Sequence, residues 1–184
     1  MLDLKSIDKS WTLFLDRDGV INFERLGKYV LNWEEFEFLD GVLQALKIFE
    51  KKFGHIVVIS NQRGVGKGLM TEDDLLHIHK EMQKKIEEAG GRIDKIYYCT
   101  DVDESCFYRK PNPGMGLQAM EDFPGIDAAK TIMVGNKPGD MQFGRAIGCY
   151  TVFVTTTNRD QAFPHPDIDL VFPTLIDFAN ALES

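Results

Sequence analysis

The chain has 184 residues, enough for one domain with a full hydrophobic core. It is 43% hydrophobic and 27% charged with a net charge of −8, a balance that weighs against a general nucleic-acid or anionic-membrane binder, whose surfaces are usually basic. No apolar run approaches the roughly 20 residues that span a bilayer. The polar stretch Met1 to Ser10 has no signal-peptide core, so a cytoplasmic location is expected.

Strand-like and helix-like segments alternate along the chain. Trp11 to Leu15 is a short apolar run that stops at Asp16. Gly41 to Lys52 reads as a helix with Val42, Leu46 and Phe49 on one face. Ile56 to Ser60 (Ile-Val-Val-Ile-Ser) has the β-branched pattern of a buried strand. Thr71 to Ala89 is the clearest helix: Thr71 is its N-cap, and Glu72, Asp73 and Asp74 fill the first turn, where the helix dipole favours them. Leu75, Ile78, Met82 and Ile86 form its apolar stripe, and Gly90-Gly91 ends it. Ile93 to Cys99, Thr131 to Val134, Tyr150 to Val154 and Ile168 to Phe172 read as four further strands, and Asp140 to Ile147 and Thr174 to Leu182 as two further helices. Such alternation implies parallel βαβ units in a three-layer α/β sheet. With no repeat, low-complexity segment or linker, residues 1–184 read as a single domain.

In open parallel sheets, ligands bind beyond the carboxyl ends of the strands. Polar clusters fall at those ends: Asp16-Arg17-Asp18-Gly19 after the first strand and Ser60-Asn61-Gln62-Arg63-Gly64 after the second. Arg109-Lys110-Pro111 precedes the fourth strand, and Gly135-Asn136-Lys137-Pro138-Gly139-Asp140 follows it. Two carboxylates two residues apart can share one pocket if the chain turns there; one attacks phosphorus while the other protonates the leaving oxygen and later activates water. A phosphate dianion repels a carboxylate nucleophile, so positive charge is needed. Mg²⁺ suits that role because it takes oxygen ligands, and Lys110 adds a point charge. Ser60 and backbone N–H groups near Asn61 can add hydrogen bonds as charge shifts.

Asp16-Arg17-Asp18-Gly19-Val20-Ile21-Asn22, Ser60-Asn61-Gln62, Arg109-Lys110-Pro111-Asn112-Pro113-Gly114-Met115 and Gly135-Asn136-Lys137 with Asp140 resemble, in order, the signatures of the haloacid dehalogenase (HAD) superfamily of phosphatases. Tyr29-Val30, Phe36-Glu37-Phe38 and Ile96-Tyr97-Tyr98-Cys99 bring the resemblance closer to the branch of D-glycero-D-manno-heptose 1,7-bisphosphate and histidinol-phosphate phosphatases. It runs from about Trp11 to about Asn180. It implies a Rossmannoid, HAD-like parallel sheet with small cap insertions only. Asp16 would be nucleophile and magnesium ligand, and Asp18 the general acid/base with its carbonyl on the metal. Ser60 and Asn61 would contact the phosphoryl group or substrate, Lys110 would neutralise it, Arg109 would orient the distal substrate, and Asn136 with Asp140 would complete the metal site. The implied activity is magnesium-dependent hydrolysis of a small phosphorylated metabolite through an aspartyl-phosphate. A sugar phosphate such as heptose 1,7-bisphosphate is favoured over histidinol phosphate.

Three departures from that branch matter. Asn136 stands where the family has a magnesium-binding aspartate; an amide oxygen ligates without charge, so a weakened or inactive ligand-binding protein is the alternative, unless Asp140 compensates directly or through water. The zinc loop of relatives is represented here by Cys99, Asp101, Cys106 and Tyr108, a poor set for structural zinc, so an ordinary loop is expected. Arg63 and Lys67 flank the glycine-rich loop after Asn61; if they point inward, the substrate carries more than one negative group. The odd, sparse set Cys99, Cys106 and Cys149 suggests no disulfide framework.

Other features read as structural. His77 and His79 project to different sides of their helix, cannot share a metal, and are expected at the surface. Met115, Met120, Met133 and Met141 read as core fillers, Trp33, Phe36 and Phe38 as packing for a loop, and Cys149 as buried and inert. With no heptad or large apolar stripe, a monomer is the default expectation.

Overall fold

A computed structural model describes residues 2–183. The strands are β1 (Thr12–Leu15), β2 (His55–Asn61), β3 (Lys95–Cys99), β4 (Thr131–Gly135), β5 (Tyr150–Val154) and β6 (Leu170–Phe172). They form one sheet in the order β3-β2-β1-β4-β5-β6, and every pairing is parallel. The helices are α1 (Val42–Lys52), a single turn α2 (Arg63–Gly66), α3 (Glu72–Glu88), α4 (Gly114–Asp122), α5 (Pro138–Ala146) and α6 (Leu175–Ala181).

Alternation along β1 sorts the two cores. Leu13 and Leu15 face the layer of α1, α3 and α6, while Phe14 faces α4 and α5. In α3, Leu75, Ile78, Met82 and Ile86 are all fully buried, each stabilising the fold by about 1.5–3 kcal/mol. Its start is a capping box: Thr71 Oγ1 accepts from the Asp74 amide at 3.1 Å, and the Asp74 carboxylate accepts from the Thr71 amide at 2.8 Å.

The three-layer architecture agrees with the sequence expectation. Two helices were not anticipated, the single turn α2 and α4; α4 has glycines at 114 and 116, and neither favours a helix. Packing overrides that propensity, because a Cβ at Gly116 would come within 2.9 Å of Phe143 and Ile147. The segment between β1 and α1 holds a 3₁₀ turn (Trp33–Glu35) and two isolated bridges, Asp18 with Asn22 and Asn22 with Phe38. Trp33 stacks on Phe36, and Phe36 meets Phe38 edge-on, both at 5.0 Å between ring centroids. This aromatic group packs the small insertion down. Among the described residues, no helix is long and apolar enough to cross a membrane.

The chain leaves β1 toward β2 and β3, then returns to β4 on the other side of β1. The carboxyl ends of β1 and β4 therefore flank the topological switch point, where a doubly wound sheet opens a crevice.

Candidate active site

The Asp16 amide still bonds the Val134 carbonyl at 3.0 Å, so the β1–β4 ladder delivers Asp16 to the crevice before the chain turns. The turn closes as the Ile21 and Asn22 amides donate to the Arg17 carbonyl at 2.8 and 3.2 Å. Gly19 adopts φ +86°, and a Cβ there would lie 2.0 Å from Asn136 Nδ2. Position 19 thus requires glycine for both its backbone and its close approach to the β4 loop.

Three buried charges meet here. Lys110 Nζ lies 3.0 Å from Asp16 Oδ1 and 2.7 Å from Asp140 Oδ1, and it donates to the Ile59 carbonyl at 2.7 Å. Burial pushes the Asp16 carboxyl up to about 6; Lys110 opposes the shift, and Asp140 and Asp18 add to it. Burial alone would lower the Lys110 pKa, but Asp140 and Asp16 hold it above the ordinary lysine value. Asn61 fixes the lysine's backbone from both sides: its Oδ1 accepts from the Lys110 amide at 3.0 Å, and its Nδ2 donates to the Lys110 carbonyl at 2.9 Å.

Asp18 is held differently. Arg17 Nη2 lies 3.0 Å from both of its oxygens, Asn22 Nδ2 donates at 2.9 Å and Gln62 Nε2 at 2.8 Å. Burial would raise its pKa, but Arg17 and these hydrogen bonds outweigh burial and hold it below the usual carboxylate range. Arg17 is itself fully buried, and its Nη1 contacts His79 Nε2 at 3.3 Å. This corrects the expectation of a surface His79. Guanidinium only donates, so Nε2 is the lone-pair nitrogen of a neutral ring. Burial first, then Arg17, push the His79 pKa down to about 3. Positions 75, 79, 82 and 86 follow the helical period, so a polar member of the apolar stripe was the available signal. His77, on the other side of α3, is exposed.

Asp140 is hydrogen-bonded through both oxygens. Its Oδ1 is taken by Lys110, and its Oδ2 accepts from the Asn136 amide at 3.2 Å and the Lys137 amide at 3.1 Å. Both oxygens thus hold the lysine and the β4–α5 turn in place. Asn136 donates through Nδ2 to Glu24 Oε2 at 3.1 Å and to Thr157 Oγ1 at 3.0 Å. Its Oδ1 is buried without a hydrogen-bond partner. Such an acceptor fits a cation. The Asp16 carboxylate and the Asp18 carbonyl are, like it, oxygen donors of the type magnesium takes. Among the described residues, no cluster of three or more His, Cys, Asp or Glu side chains could hold a metal by itself.

Two cavities open on this constellation. A small one of about 80 Å³ is lined by Asp16, Asp18, Asn61, Lys110, Lys137 and Asp140. A larger one of about 470 Å³ shares Asp18, Asn61 and Lys137 with it, and six cations line it: Arg25, Lys28, Arg63, Lys67, Arg109 and Lys137. Arg63 and Lys67 therefore both reach the cavity, Lys67 also lying 5.2 Å over the Tyr29 ring. Ser60 lines neither; its hydroxyl is buried and accepts from Gln62 Nε2 at 2.8 Å. Sequence reasoning missed Glu24, Arg25 and Lys28, and gave Tyr29 no role, because the insertion that carries them has no regular element to point them anywhere. It also left Arg17, Gln62 and Lys137 without roles inside motifs it had marked.

Residues 13–180 match the family described as polynucleotide kinase 3 phosphatase. The chain is 35% identical over 173 residues to D-glycero-alpha-D-manno-heptose-1,7-bisphosphate 7-phosphatase of Mycobacterium tuberculosis (strain ATCC 25618 / H37Rv), covering 94% of this chain and 91% of the relative. It is 34% identical to the corresponding beta-heptose 7-phosphatase of Yersinia pestis, covering 94% of this chain and 95% of that one. Its structure superposes with TM-score 0.85 on the D,D-heptose 1,7-bisphosphate phosphatase of B. bronchiseptica, solved with magnesium and phosphate, at 28% identity, covering 94% and 98% of the two chains. The chain therefore belongs to the polynucleotide kinase 3 phosphatase family, and it is a HAD-superfamily phosphatase resembling the heptose 1,7-bisphosphate phosphatases.

Proposed function

We propose that this phosphatase is magnesium-dependent and hydrolyses a sugar phosphate that carries a second anionic group, a heptose 1,7-bisphosphate being the favoured substrate. The observation that carries this reading is a six-cation cavity beside the small chamber of Asp16, Asp18 and Lys110. One phosphate would sit in the chamber, and a second would lie against Arg63, Lys67 and Arg109. Histidinol phosphate, whose far end is cationic, would be repelled there. That Asp16, Asp18 and Lys110 are each hydrogen-bonded beside one chamber supports an active enzyme over a disabled ligand-binding protein.

The chemistry follows from the side chains. An Asp16 oxygen attacks phosphorus, the ester P–O bond breaks, and the leaving oxygen takes a proton from Asp18. Asp18 is ionised at rest, so its proton arrives with the substrate, whose phosphate titrates near pH 6. In the second step Asp18 takes a proton from water as that water attacks the aspartyl-phosphate, releasing phosphate and restoring Asp16. Lys110 holds Asp16 ionised and offsets charge on the phosphoryl oxygens, while Asp140 keeps Lys110 aimed. Asp16, the Asp18 carbonyl and Asn136 Oδ1 would hold magnesium, which when bound supplies further positive charge to the phosphoryl oxygens.

Phosphate release from a panel of sugar mono- and bisphosphates and histidinol phosphate, with and without magnesium, tests this. Preference for a bisphosphate, lost in Asp16→Asn, is expected. Equal turnover of histidinol phosphate, or turnover surviving Asp16→Asn, would overturn it.

A further inference from the structure

Two thiols outside the reacting groups lie against each other. Cys99 ends β3 and is buried; Cys106 sits seven residues on in the following loop and is partly exposed. Their Sγ atoms are 3.9 Å apart, and both are free. A disulfide bond is about 2.05 Å long, so about 2 Å of approach by a loop residue would join them. No third ligand completes a metal site around them among the described residues. A cysteine pair without a metal is then left with redox chemistry.

That loop carries part of the active site. The Cys106 carbonyl accepts from the Arg109 amide at 3.0 Å and from Asn112 Nδ2 at 2.9 Å. Arg109 lines the large cavity, whereas Lys110 is gripped separately by Asn61. Movement of Cys106 would therefore be felt at Arg109 before Lys110.

We infer that Cys99 and Cys106 are a redox modification site, a dithiol that hydroperoxides convert to a reversible disulfide. The accessible Cys106 sulfur, as thiolate, attacks a peroxide oxygen; the O–O bond breaks, hydroxide leaves and takes up the thiol's proton as water, and Cys106 becomes a sulfenic acid. The Cys99 sulfur then attacks the Cys106 sulfur, the S–O bond breaks, and the hydroxyl leaves with the Cys99 proton as a second water. The two sulfurs together lose two electrons, one peroxide is reduced, and a small dithiol reverses the step by exchange. In a reducing compartment such a bond is transient and regulatory rather than structural. The effect on Arg109 rests on the substrate reading above; formation of the bond does not.

The test treats the full chain with hydrogen peroxide, alkylates it in denaturant and digests it with trypsin without reductant. Lys95 and Arg109 bracket both cysteines, so one peptide, residues 96–109, reports the outcome. The expected result is a loss of about 2 Da, no alkylation of that peptide, one label on Cys149, and return of both labels after dithiothreitol. Cys106→Ser should leave Cys99 alkylated. Peroxide should raise KM with kcat retained in the parent protein and leave Cys106→Ser unchanged. Oxygen added at Cys106 with Cys99 still alkylated, pairing with Cys149, or one zinc atom recovered per chain would each overturn the site. A disulfide without a change in KM would overturn its coupling to Arg109. If no phosphate ester is turned over at all, the mass readout still decides the disulfide, and only the substrate reading fails.

Discussion

Replacing Asp16, the proposed nucleophile, should make this protein more stable. In the folded chain Asp16 titrates at about 6 against 3.8 for the free side chain, because burial outweighs its attraction to Lys110. The folded state therefore binds a proton that the unfolded chain has released between pH 4 and 6, and stability falls as pH rises through that window. The difference of about two units corresponds to roughly 3 kcal/mol, present in full above pH 7. Asp16→Asn removes the charge while its amide oxygen can still accept from Lys110. In EDTA, urea unfolding followed by circular dichroism should show the variant more stable than the parent by up to roughly 3 kcal/mol at pH 8. At about 2–4 °C per kcal/mol, that is a rise in Tm of roughly 6–12 °C. The gain should shrink to about 0.5 kcal/mol near pH 4 and vanish near pH 3, where folded and unfolded parent chains both hold the proton. An equal gain at pH 4 and pH 8, or none at pH 8, would refute the reasoning.

Four further variants have expected outcomes. His79, at about 3 when folded and 6.5 when free, should make the parent lose stability as pH falls below 6.5, by about 2–3 kcal/mol at pH 4.5; His79→Gln, which keeps an acceptor for Arg17, should flatten that limb in denaturation at pH 4.5–7. Asn136→Asp would set a carboxylate against Glu24 Oε2, now 3.1 Å from Asn136 Nδ2, so the metal-free variant should melt lower than the parent while magnesium, titrated by calorimetry, binds it more tightly; unchanged magnesium affinity would count against Asn136 as a ligand. Arg109→Ala should raise KM with kcat retained, whereas Lys110→Met, which leaves two buried carboxylates without their shared cation, should lose kcat and about 3–5 kcal/mol of stability.

Much of the fold was legible because its signals are local. The β-branched run at Ile56–Ser60 and the apolar stripe of α3 each declare their element within one stretch of chain. Helix α4 was not legible: its glycines oppose a helix, and only Phe143 and Ile147, nearly thirty residues on, make them necessary. The site divides the same way. Asp16, Asp18, Asn61 and Lys110 could be found from motifs at strand ends. The uses of their neighbours could not, since those depend on which partner lies across the crevice.

By itself, the sequence determined the alternation of strands and helices, the positions of the polar clusters at strand ends, and the likeness to a phosphatase family. These follow from short-range periodicity and from motif spacing. Only the tertiary structure decided that both Asp140 oxygens are spent on Lys110 and the β4–α5 turn, that Asn136 keeps an unpartnered oxygen while donating to Glu24, that His79 backs Arg17 beneath Asp18, and that Cys99 and Cys106 meet. Each of those outcomes is a choice among hydrogen-bond or contact partners distant in sequence. Which partner wins is settled by burial, where an unpaired donor or acceptor is costly, and a one-dimensional pattern does not encode that competition.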